Sequence, residues 1–199
     1  MNVSHSSQTR TLSSTASIQD SLSGKLFVSV AASALVAVCA HISLPLPFTP
    51  VPLTLGNMAV LMVGLMLGPS TAFAALALYL AEGALGLPVF APSGPGGLAQ
   101  LLGPTAGYLF SYPFAAAVAS TVVRSLKPTL SRFNSAVVAC VLASVVIFTL
   151  GAGWLASLPL HLGLAAILHM AVLPFLPGEA LKIAAAAGIF SALQRARRS

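Results

Sequence analysis

The sequence predicts an all-α polytopic membrane protein, with six transmembrane helices, both termini cytoplasmic and a ligand pocket on the outer face. Three observations carry this reading. Hydrophobic residues fill 57% of the 199 positions and charged residues 6%, against roughly 25% charged in an ordinary soluble domain. The apolar runs have room for about six spans of roughly 20 residues joined by short loops. Of the nine Lys and Arg residues, eight fall on segments that alternate counting places on one side: Arg10, Lys25, Arg124, Lys127, Arg132, Arg195, Arg197 and Arg198. The positive-inside rule makes that side the cytoplasm.

Composition also excludes several classes. One membrane domain fills the chain, and a GxxxxGK[ST] phosphate loop is absent from it, so ATP-driven work would need a partner to hydrolyse the nucleotide. The net charge of +6 follows from topology and does not imply nucleic acid. Cys39 and Cys140 lie in apolar runs and read as small hydrophobes, with neither a disulfide nor a metal site.

Residues 1–24 are rich in Ser and Thr and lack an apolar run, which reads as a disordered cytoplasmic tail. The membrane domain is expected over 25–194, with a basic cytoplasmic tail at 195–199. Helix 1 is expected over about 25–44, where Ser33, Ala34, Ala37 and Ala40 give it a small-residue side suited to close helix approach, within the bundle or against a partner. Segment 43–54 carries Pro45, Pro47, Pro50 and Pro52 and reads as a stiff loop. Helices 2 and 3 are expected over about 53–67 and 70–87, turning at Gly68 and Pro69. The second is short for a bilayer. Asn57 and Thr54 either cap it or line a cavity.

Residues 88–103 hold Gly and Pro but no charge, a composition tolerated at membrane depth only where backbone is buried in protein or lines a cavity. Helix 4 opens at GPTAGY, 103–108, and runs to about Arg124. Helix 5 is expected over about 135–157, with Trp154 as an interfacial anchor. Segment 158–173, marginal in length for a seventh span, reads as a short outer helix, and helix 6 as about 178–193.

The costly feature is PFLPGEALK, 174–182. Glu179 is one of three acidic residues in the chain, and Lys182 follows it one helical turn later, on the same face. Each such charge in hydrocarbon costs about 2.5–3.5 kcal/mol on insertion scales, so residues of this kind mark ligand or ion paths. The plainer alternative is an acid complementing a helix N-terminus with a lysine paired to it.

In order along the chain, PFTPVPLTLGNMAVLMVGLMLGP, LYLAEGALGLPVF, GPTAGY and LPFLPGEALK form a pattern that resembles the BioY family, the biotin-specific substrate-binding subunits of energy-coupling factor (ECF) transporters. The resemblance implies a six-helix bundle in the bacterial cell (inner) membrane that captures biotin from outside. An energy-coupling transmembrane subunit and a pair of ABC ATPases would drive release inward. It implies no enzyme activity in this chain and no cofactor, since biotin is the transported ligand. Members usually carry Asp where Glu179 stands.

On this reading Glu179 accepts from the ureido N–H groups of biotin, and Lys182 either neutralises Glu179 or meets the ureido oxygen. Phe90, Tyr108 and Trp154 become candidate walls for the bicycle, Gly94, Gly96 and Gly97 allow close backbone approach, and Asn57 is a further polar contact. Ser33 and Ala37 become candidates for docking the coupling subunit. Glu82, where the family tends to be apolar, reads as snorkelling near the outer surface in preference to making a further polar contact.

Competing readings are another vitamin on the same scaffold, a solitary ion-coupled carrier using Glu179, and an intramembrane serine protease using Ser93 with His161 or His169. The last lacks a third group to orient the base.

Overall fold

The computed structural model describes residues 22–126, 129–159 and 163–197. Arg10, Lys127, His161 and Arg198 therefore lie outside the described residues, as does most of the expected tail.

Helix α1 is Leu22–His41, three residues earlier at both ends than expected. The proline segment is more ordered than a simple loop. Strands β1, Ser43–Leu44, and β2, Leu53–Thr54, pair antiparallel with Ser43 opposite Thr54 and Leu44 opposite Leu53. The ladder stops after two residues because the next positions are Pro45 and Pro52, which have no N–H to give.

Helix α2, Gly56–Met66, has only eleven residues, about 16 Å of rise against about 30 Å of hydrocarbon. It nevertheless lies at the centre of the bundle, packed on α1, α5 and α8. Gly64 allows this: a Cβ there would stand 2.7 Å from the Ala116 carbonyl oxygen and 2.7 Å from the Ala119 Cβ. Ser120 donates to the Leu67 carbonyl at 2.5 Å, satisfying one of the acceptors left over at the end of α2.

Helix α3, Pro69–Ala84, follows an extended Gly68, with proline at its first position, where a missing N–H costs nothing. Segment 88–103 is not all loop. Gly96 and Gly97, at φ +70° and +58°, turn the chain into a short helix α4, Gly97–Leu102. These left-handed values are the ones glycine adopts without strain.

Helix α5, Ala106–Leu126, and helix α6, Arg132–Ser157, form the most extensive contact of the bundle. Helix α6 begins earlier than expected because Ser131 caps it, accepting from the Asn134 N–H at 3.2 Å. A short helix is present as α7, Leu164–Ala171, followed by a 3₁₀ turn at Leu173–Phe175 that leads into α8, Leu176–Ala196.

Four stretches among the described residues are long and apolar enough to cross a membrane: Ser23–His41, Ala106–Leu126, Arg132–Ser157 and Leu164–Ala196. The last takes in α7, the 3₁₀ turn and α8.

Candidate functional site

The prolines of PFLPGEALK set the site. Pro174 lies in the 3₁₀ turn and Pro177 in the first turn of α8, positions that need no backbone donor. They aim the first two turns of α8 into the bundle, and Glu179 and Lys182 are both buried, at 3% and 7% exposure. The ammonium Nζ lies 3.6 Å from Glu179 Oε2.

Glu179 is held from a second helix. Ser144 Oγ on α6 donates to its Oε1 at 2.7 Å, while the buried Oε2 accepts no hydrogen bond from any described group. Leaving a buried charged acceptor without a hydrogen bond is costly. Such an oxygen is chemically suited to an N–H donor of a ligand.

Lys182 reaches the wall of a cavity, whereas Glu179 stands behind it. Tyrosines line much of the same cavity. Tyr79 on α3 and Tyr112 on α5 stack at 6.3 Å between centroids and 26° between planes. Tyr108 on α5 stands with them, and Phe148 and Phe175 add apolar wall.

All three phenol hydroxyls are spent on protein acceptors. Tyr112 donates to Asn57 Oδ1 at 2.7 Å, Tyr108 to the Ala171 carbonyl at 2.6 Å and Tyr79 to the Val89 carbonyl at 3.1 Å. Their rings are thereby fixed as apolar faces, and polar recognition falls to Lys182, Asn57, Thr54, Gln100 and Thr105. Gln100 is itself anchored, accepting from the Gly96 N–H at 3.2 Å and donating to Thr105 Oγ1 at 3.1 Å.

Of the residues expected from sequence, Glu179, Lys182, Tyr108 and Asn57 come together here. Phe90 does not line the cavity. It is buried edge-on against Tyr79, with 5.4 Å between centroids, and its ring fills the space beside Gly83, where a Cβ would overlap it. It supports a wall and does not form one.

Trp154 also stands away from the cavity lining, donating Nε1–H to the Gly103 carbonyl at 3.0 Å and packing edge-on against Phe110. Gly94 lines a neighbouring cleft between the proline and glycine segments, which shares Pro52, Gln100 and Thr105 with the cavity. Gly96 and Gly97 shape the start of α4.

Ser33 is fully buried and donates to Glu82, and Ala37 is half-buried against the core. Ser33 therefore joins α1 to α3 and is not on the surface of the bundle. Glu82, expected to snorkel, instead takes that hydroxyl across the helix contact. Ser93 and His169 are both exposed and make no hydrogen bond to each other.

Tyr79, Tyr112 and Gln100 were not singled out by sequence. The tyrosines sit in apolar helices where they look like core, and the glutamine sits in a segment read as loop. Their polarity within otherwise apolar runs is the signal that could have found them.

A helical membrane bundle with an aromatic cavity, a buried lysine at its wall and a carboxylate paired behind it has the makings of a membrane solute-binding protein. Comparison with known proteins narrows the class. Residues 8–199 match the BioY family, and the chain belongs to it.

A probable biotin transporter BioY of Pyrococcus horikoshii is 37% identical over 81% of this chain and 90% of its own length. The biotin transporter BioY of Lactococcus lactis is 32% identical over 70% of this chain and 73% of its own. The crystal structure of an S-component for biotin from an ECF-type ABC transporter superposes with a TM-score of 0.77 at 26% identity, covering 86% of this chain and 90% of that one. The chain is a multi-pass protein of the cell membrane.

Proposed function

We propose that this chain is the biotin-capturing subunit of an ECF-type ABC transporter, binding biotin from the outer side and working with an energy-coupling transmembrane subunit and a pair of ABC ATPases. In this reading α1, α2, α3, α5, α6 and α8 are the six spans, both termini are cytoplasmic, and the cavity opens outward.

The observation that carries the proposal is Lys182 at the wall of a tyrosine-lined cavity with Glu179 paired to it just behind that wall, one carboxylate oxygen accepting no hydrogen bond from any described group. The ureido ring of biotin offers two N–H donors and one carbonyl acceptor. Glu179 Oε2 supplies a charged acceptor for a donor and Lys182 a charged donor for the carbonyl, and charge-assisted hydrogen bonds of this kind are the strong ones. The stacked rings of Tyr79 and Tyr112 and the face of Tyr108 suit the apolar bicycle, with Asn57 beside them. The carboxylate tail would extend toward the Gln100 and Thr105 side of the cavity.

Equilibrium binding of biotin to the purified protein in nanodiscs tests this, with riboflavin and thiamine as controls. Saturable biotin binding that is lost in Glu179→Ala and Lys182→Ala is expected. Absence of binding by a folded sample, or equal binding of the control vitamins, would overturn the substrate. Full binding by both variants would overturn the site.

A further inference from the structure

The end of the bundle opposite the cavity carries a second recess that biotin capture does not use. Lys25 in the first turns of α1 and Arg124 in the last turn of α5 line it together with Gly68 and Thr71 at the start of α3, and Val28, Met66 and Leu67 form its apolar side. About sixteen residues of α5 separate Arg124 from Tyr108, roughly 24 Å of helix, so the two sites are at opposite ends.

Arg124 is aimed by a relay. Its Nε donates to Ser120 Oγ at 3.3 Å, and that hydroxyl donates to the Leu67 carbonyl at 2.5 Å. The guanidinium, itself exposed, is thus held beside the α2–α3 turn, and its two terminal nitrogens have no hydrogen-bond partner among the described residues. The first chain-internal bond of α3 runs from the Ala72 N–H to the Gly68 carbonyl at 2.8 Å, and the helix has no side-chain cap. The N–H groups of Ser70 and Thr71 therefore remain at the positive end of the helix dipole.

Among the described residues no carboxylate offsets these charges: Glu82 is bonded to Ser33 and Glu179 is paired with Lys182, both toward the other end of the bundle. Two cations, a helix start and an apolar flank make a phosphoryl-anion site with a path for a hydrocarbon chain. Basic pockets between transmembrane helices at a membrane surface hold lipid headgroups. A free phosphate would leave Val28 and Met66 unmatched.

We propose that Lys25, Arg124 and the start of α3 bind the phosphoryl headgroup of an anionic phospholipid, whose acyl chain follows Val28 and Met66.

The test is native mass spectrometry of the full chain released from nanodiscs of mixed phosphatidylcholine and phosphatidylglycerol, counting retained lipid. Lys25→Gln and Arg124→Gln are each expected to lower phosphatidylglycerol retention about fivefold, the equivalent of about 1 kcal/mol per surface cation, while biotin binding reports that they are folded. Arg195→Gln, on an exposed cation outside the recess, is expected to leave retention unchanged. Equal loss in Arg195→Gln, or retention unchanged in both recess variants, would overturn the proposal. So would inorganic phosphate in phosphatidylcholine nanodiscs raising the unfolding temperature as much as phosphatidylglycerol does, since the ligand would then be the ion and not the lipid.

Discussion

Two carboxylates lie in this bundle, each met by a serine from a neighbouring helix, and they have opposite surroundings. Glu179 on α8 takes Ser144 from α6, has Lys182 one turn away and is buried with one oxygen free of hydrogen bonds. Glu82 on α3 takes Ser33 from α1, is paired with no cation among the described residues and stays partly exposed. Glu82 retains some contact with its surroundings and tolerates a single partner. Glu179 has no such outlet, so its second acceptor is a standing cost unless a ligand donor meets it. The Glu82 arrangement joins two helices; the Glu179 arrangement leaves a buried acceptor unmet among the described residues.

The contrast breaks most readily at Glu179. Glu179→Ala leaves Lys182 buried without a counter-charge, and removing one member of a buried pair costs about 3–5 kcal/mol. Thermal unfolding in detergent is expected to register most of that, together with loss of biotin binding. If Glu82→Ala destabilises as much, the distinction between the two acids fails.

A sharper form replaces both charges. Glu179→Leu with Lys182→Met is expected to recover stability to within about 1–2 kcal/mol of the parent, because a buried pair is often dispensable for stability once neither charge is stranded. Biotin binding should stay lost, which separates recognition from folding. Recovery of binding in the double variant would remove the pair from the site.

An effect smaller than that of Glu179→Ala belongs to Ser144. Ser144→Ala deletes a hydrogen bond to a charged group, about 1.5–3 kcal/mol, and biotin affinity is expected to fall with it because the carboxylate loses its orientation. Smallest is Glu82→Gln, which keeps an acceptor for Ser33. Its stability change is expected within about 0.5 kcal/mol, with biotin affinity unaltered in the same titration.

The same contrast explains what could be read without coordinates. That Glu179 and Lys182 share a face follows from helical spacing alone, and the fold class follows from the apolar runs and the placement of Lys and Arg. Ser144 could not be paired with Glu179 from sequence, since nothing local joins positions 35 residues apart. Glu82 was misread for a related reason: insertion cost says that a charge near a membrane needs an outlet, but not whether that outlet is water or the hydroxyl of Ser33.

Aromatic roles were legible in type and not in place. Phe90, Trp154 and Tyr108 all lie between or near the ends of helices, and only packing decides that Tyr108 forms cavity wall, Phe90 stands behind one and Trp154 is tied to Gly103. The proline segment pairs as a ladder because Ile42 and Leu55 bring its ends together, with the Leu55 N–H on the Ile42 carbonyl at 3.1 Å. Prolines make the backbone extended, but which strand it meets depends on the turn as a whole.

Tyr108 lies over Gly151, where a Cβ would overlap its ring, and its hydroxyl reaches the Ala171 carbonyl of α7. The space at position 151 is therefore taken up by the Tyr108 ring. A larger residue at 151 is accommodated only by a smaller one at 108, and that exchange gives up both a face of the cavity and the tie to α7. The α5–α6 contact therefore couples the size allowed at 151 to the wall that Tyr108 gives the cavity.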